Sequence, residues 1–102
     1  MYPNKFLGTH AGNVLDRYPI ERDRLEALMV QSRVTVFFAG HEHYYSRKTV
    51  NGIMHIISGG GGAPLYAIEE VGGFYHFIVV TVDGGRVSGE VVDINGNVRD
   101  RF

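Results

Sequence analysis

The dipeptide Asn51-Gly52 does most to limit what this chain can fold into. A two-residue hairpin turn of the favoured type needs positive φ at both central positions, which asparagine and glycine accept. The segments on either side, Tyr45–Val50 and Ile53–Ser58, are rich in β-branched and aromatic residues, so an antiparallel pair is expected there. Asp83-Gly84-Gly85 repeats the signal between residues 74–82 and 86–94. Asn95-Gly96 then turns the chain into a last short segment, 97–102. The second half of the sequence is thereby committed to strands.

Upstream, the periodicity changes. Residues 1–18 read as irregular, broken by Pro3, Asn4, Gly8, Gly12 and Asn13. Tyr18-Pro19 opens a helix, since proline at the first helical position lacks only an N–H that would be unpaired anyway. Glu21 and Asp23 fall in the first turn, where the helix dipole favours negative charge. Leu25, Leu28 and Met29 form an i, i+3, i+4 stripe expected to face a sheet, with Arg22, Arg24 and Glu26 turned away. The helix is expected to end near Ser32. Residues 34–39 are nearly all apolar, which suits a strand covered on both faces. One helix followed by about five or six mostly antiparallel strands is an α+β pattern. A chain of 102 residues fits one domain.

The apolar run at 34–39 leads directly into Gly40-His41-Glu42-His43. In extended chain, residues two apart share a face, which sets the two imidazoles about 6.6 Å apart at their Cα atoms. Rings so placed can converge on one ion, or each can take one ion of a pair. Neutral imidazole suits Zn, Fe, Mn or Ni, so the spacing does not choose the metal. Gly40 is expected to supply the sharp turn as the strand ends. Glu42 falls on the opposite face and outside a shared ligand set. The second histidine comes too early, and in the wrong setting, for the His-Glu-x-x-His helix of zinc proteases. A competing reading keeps both rings as hydrogen-bonded structural residues of a loop.

The string Val36-Phe37-Phe38-Ala39-Gly40-His41-Glu42-His43-Tyr44-Tyr45 resembles the last signature of the calcineurin-like metallophosphoesterases. In that superfamily, which includes the purple acid phosphatases, an apolar strand ends in Gly-His-x-His. The hairpin at Asn51-Gly52 and the strand exit Ile56-Ile57-Ser58-Gly59-Gly60 are similar as well. Asp16-Arg17-Tyr18-Pro19 and Glu21-Arg22-Asp23-Arg24-Leu25 look like the helix that precedes the signature in bacterial members. The resemblance runs over most of residues 2–94. It implies a C-terminal piece of a four-layer α/β/β/α sandwich, with residues 1–102 forming part of a single domain truncated at its N-terminus. It also implies that His41 ligates one ion and His43 the other of a divalent or trivalent pair (Mn, Fe or Zn). Such a pair activates water for in-line attack on phosphorus and neutralises phosphoryl charge.

The family's Asp-x-His, Gly-Asp-x-x-Asp and Gly-Asn-His-Glu segments do not occur here. Gly12-Asn13-Val14 shares two letters with the last and then departs from it. The expectation is therefore split. A longer parent is a phosphatase or phosphodiesterase acting on a phosphoester, while this chain carries part of the ion site, assigns no catalytic residue of its own and is inactive alone. His10, followed by Ala11-Gly12 and preceded by no apolar strand, is expected as a loop histidine bordering the substrate cleft. Arg47 is expected to meet a substrate phosphate.

A net charge of -1 with scattered lysines and arginines gives no electrostatic footprint for nucleic acid or an acidic membrane. The absence of cysteine removes disulfides, thiolate zinc sites and cysteine nucleophiles together. No apolar run approaches the roughly 20 residues that span a bilayer, and Met1-Tyr2-Pro3-Asn4-Lys5 lacks a signal peptide's apolar core, so the compartment stays open. Residues 59–62, four glycines, lack the Lys-Ser/Thr of a phosphate loop and are expected as a flexible turn rimming the cleft. His55 and His76 are expected as half-buried, hydrogen-bonded sheet residues. Loss of neighbours from the 34–39 strand would leave an edge open to another chain, so a homodimer or strand-swapped oligomer is expected. Against the hydrolase stand a non-catalytic β-rich binding or assembly domain with structural histidines, and a single-ion hydrolase of another ester or amide.

Overall fold

The computed structural model describes residues 14–102, and His10 lies outside them. A single 3-10 turn, Leu15–Arg17, leads into α1, Pro19–Gln31, with the proline at its start. Six strands follow among the described residues. They are β1 (Val36–Ala39), β2 (Tyr45–Val50), β3 (Ile53–Ser58), β4 (His76–Asp83), β5 (Arg86–Asp93) and β6 (Val98–Arg101). They form two three-stranded sheets, ordered β1-β3-β2 and β4-β5-β6. Only β1 and β3 run parallel; the other pairings are antiparallel. The α+β expectation holds.

Each hairpin signal marks a real turn. Val50 pairs with Ile53, and Asn51 and Gly52 both have positive φ, 51° and 78°. Asp83 pairs with Arg86 across Gly84-Gly85, with Gly84 at φ 57°. At the third turn, Asp93 Oδ1 accepts the backbone N–H groups of Asn95 and Asn97 at 2.9 and 3.0 Å. Those backbone donors, with the Arg99 guanidinium, hold the Asp93 carboxyl below the ordinary carboxylate range.

The helix presents a different face from the one its apolar stripe suggests. Met29 packs with Ile53, Leu25, Val34 and Phe37, but Leu28 is 58% exposed. Glu26 is buried instead, with its carboxylate 3.3 Å from His55 Nε2 on β3 and within reach of Asn51. The inward row is therefore Arg22, Leu25, Glu26 and Met29, at i, i+3, i+4 and i+7. Burial pushes the His55 imidazole below its usual value, against the pull of Glu26. A buried histidine on the central strand thus selects a carboxylate from the helix, and leucine is displaced to solvent.

On its other face the first sheet meets the second. Phe38 lies against Phe102, and Ser58 O–H donates to His76 Nε2 at 2.9 Å while His76 Nδ1–H donates to the Phe74 carbonyl. Asp100 on β6 is the main polar tie. It accepts Arg47 Nε at 2.8 Å and Nη2 at 3.1 Å, and Tyr45 O–H at 2.5 Å. Burial works to raise its carboxyl, but the bonds from Arg47 and Tyr45 outweigh it and hold the group below the ordinary range. A carboxyl depressed in the fold stabilises it above the unfolded value of about 3.9, and the contribution disappears as pH falls through the lower folded value. Urea midpoints of the native chain are accordingly expected to drop as pH is taken below about 4. Asp100→Asn should cost about 1 kcal/mol at pH 6 and show a flatter profile below it, measured by denaturant titration across that window.

Candidate metal centre

β1 ends at Ala39, and the backbone then bends through residues 40–44 before β2 begins. The motif is therefore not extended chain, as the spacing argument assumed. Nor does Gly40 make the turn. Its φ is not positive and a Cβ built there meets nothing within 4 Å. The left-handed residue is His41, at φ 75°. Histidine is among the side chains enriched there, yet a non-glycine residue in this region holds of order 1–3 kcal/mol of backbone strain. His41 is exposed.

His43 is placed by two contacts from the loop after β3. Its Nδ1–H donates to the Pro64 carbonyl at 2.7 Å, and its ring stacks on Tyr66 with centroids 4.6 Å apart and planes 17° from parallel. A carbonyl only accepts, so the proton sits on Nδ1 and the imidazole lone pair on Nε2. This is the arrangement by which a backbone carbonyl orients a metal-binding histidine.

Between the two, Glu42 turns inward. It is only 2% exposed, and among the described residues its Oε1 and Oε2 have no hydrogen-bond partner. Tyr44, next along, is fully buried. The loop is pinned from below by Gly59, whose N–H donates to the Tyr44 carbonyl at 3.0 Å. A Cβ at Gly59 would overlap the carbonyl oxygen of Glu42, and one at Gly60 would overlap the Phe74 carbonyl and the His76 ring. The first half of the glycine run is thus required by close packing rather than by flexibility, which corrects the sequence expectation. Gly61 and Gly62 have open space around them.

Arg47 sits two residues into β2 and lines an open groove with Tyr45, Glu69, Phe74, Arg99 and Asp100. Its Nε and Nη2 are engaged by Asp100, and Arg99 is engaged by Glu69 and Asp93 while its guanidinium lies 4.1 Å from the Phe74 ring centroid. His55 and His76 serve the two interfaces of the first sheet, and both are buried more deeply than the half-buried positions expected of them. Among the described residues no group of three or more His, Cys, Asp or Glu is gathered as a metal cage. No helix of the described residues is long and apolar enough to cross a membrane. What sequence reasoning missed is the pairing of His43 with Pro64 and Tyr66, because nothing in their local pattern indicates a partner 21 or more residues away.

No protein-family model and no curated protein sequence matches this chain. Solved structures do match. Vps29 from Entamoeba histolytica, crystallised in complex with Zn2+, aligns with a TM-score of 0.54 at 19% identity, covering 79% of this chain and 46% of that one. A double mutant of the same protein aligns with a TM-score of 0.49 over the same shares. The chain spans about half the length of these structures. At such identity the likeness concerns the fold alone.

Proposed function

We propose that this chain contributes His41 and His43 to the metal site of a phosphoester hydrolase. The observation that carries the reading is the Nδ1–H bond from His43 to the Pro64 carbonyl, which fixes the ring with its lone pair on Nε2. The strained backbone at His41, just past the end of the partly buried edge strand β1, supports it, as does the Zn2+ complex of a protein that shares the fold. The donor set fits a metal in chemistry: two imidazoles suit Zn, Fe or Mn. It is incomplete in number, because the carboxylate ligands a pair of ions needs are not gathered among the described residues. Completion falls to groups outside those residues. The chemistry such ions supply is activation of water and neutralisation of phosphoryl charge. This chain's part is to hold two imidazoles in place, and the choice between monoester and diester lies with the completing groups.

Zn2+ and Mn2+ titrated into the purified chain by calorimetry test the proposal. One weak site is expected, with affinity lowered at least tenfold by His41→Ala and by His43→Ala. Equal binding by both variants and the native chain would overturn it. The stack of His43 on Tyr66 favours a second reading, in which the ring merely latches two loops. In that case His43→Ala lowers the urea midpoint and leaves metal uptake unchanged. No turnover of a phenyl phosphate or phosphodiester is expected from the chain alone; turnover abolished by His43→Ala would show that its site is complete.

A further inference from the structure

Four strand edges bound the two sheets, and they are not alike. β2 carries Arg47 and Lys48, and β6 carries Arg99, Asp100 and Arg101. Charges of that kind keep an edge from pairing with another chain. β1 is uncharged but only four residues long. β4 runs for eight, His-Phe-Ile-Val-Val-Thr-Val-Asp, with no charge between its ends. It has neither proline nor bulge, and its register with β5 is unbroken. Phe77, Val79, Val80 and Val82 are 57%, 51%, 40% and 70% exposed. An apolar edge of this length is a template for strand addition.

The ladder phase shows which backbone groups face outward. His76 N–H points away from β5 and donates to the Gly60 carbonyl at 3.0 Å. On the far side of β5, Gly89 exchanges both of its backbone bonds with Phe102 on the β6 side. In an antiparallel ladder, inward and outward residues alternate. Ile78, Val80 and Val82 therefore direct their N–H and C=O groups away from β5, and among the described residues no backbone bond from another segment reaches them.

We infer that this edge pairs with β4 of a second copy, antiparallel about a twofold axis at Val80. That axis is the one register that matches all three outward residues. Val80 stands opposite the partner's Val80, and Ile78 opposite the partner's Val82. The pairing forms about six ladder hydrogen bonds, sets no like charges against each other, and joins two three-stranded sheets into one of six. The occupant is a second copy because the edge is its own complement in length, phase and charge. The interface is separate from the histidine loop and goes beyond the metal-site reading.

Sedimentation velocity on the 102-residue chain, with chelator present, tests this independently of metal. The native chain is expected as a dimer at tens of micromolar. Val80→Pro removes an N–H unused among the described residues, at an edge position that tolerates proline. Val82→Lys places a charge on a side chain that is already solvent-facing. Each is expected to raise the dimer dissociation constant at least tenfold with an unchanged far-UV circular dichroism spectrum. A monomeric native chain, an open-ended oligomer, or a dimer indifferent to both substitutions would overturn the assignment.

Discussion

Gly59→Ala is expected to destabilise the chain by about 3 kcal/mol, the upper end of the usual range for overpacking. The added methyl would overlap the Glu42 carbonyl oxygen and crowd His43 Cα, 3.2 Å away. Both are backbone atoms, so no side chain can rotate aside. Relief requires the 40–44 bend to lift off β3, which breaks the Gly59-to-Tyr44 bond and moves both histidines. The control is Gly40→Ala, where nothing lies within 4 Å of the new methyl and a change within about 0.5 kcal/mol is expected. Urea unfolding of both variants measures the difference. If Gly59→Ala unfolds at the native midpoint, Gly59 does not anchor the loop.

Glu42→Met should stabilise the chain by about 2 kcal/mol. A carboxylate sealed from water without a hydrogen-bond partner among the described residues is expensive to bury, and methionine fills a similar volume with no polar atom. Zn2+ uptake should be unaffected, because the Glu42 side chain turns inward while His41 is exposed. A gain in urea midpoint with unchanged metal affinity is the expected pair of results. A loss of stability would mean that the carboxylate has a partner in solution, and a loss of metal affinity would mean that it belongs to the site.

Much of the fold is legible in the sequence because its turns are chemically specific. Asn51-Gly52, Gly84-Gly85 and Asn95-Gly96 each sit where backbone sterics leave few alternatives, and they fix five of the six strands. The helix was legible in extent and not in orientation. Leu28 reads as core by period alone, and only the position of His55 across the interface explains why Glu26 takes the inward place. The site divides in the same way. His41 and His43 stand out by spacing, but the left-handed backbone at His41 and the carbonyl of Pro64 depend on the bend and on a loop far along the chain. Arg47 shows the converse, since its bond to Asp100 joins residues 53 positions apart and has no local trace.

The strand order β1-β3-β2 has a consequence for how the chain reaches its native state. β1 adjoins β3, not the strand that follows it, and Val36 pairs with Met54, 18 positions later. β2 and β3 are closed by a two-residue turn, so their contact is local and cheap in chain entropy. The hairpin can therefore zip up before β1 docks along its inner edge. The segment between β1 and β2 is the one carrying both imidazoles; its Tyr44 end is tied to the hairpin by the Gly59 bond, and its Ala39 end is set when β1 docks. On contact order, the β1 side of the histidine bend is expected to form late, on a hairpin that already stands.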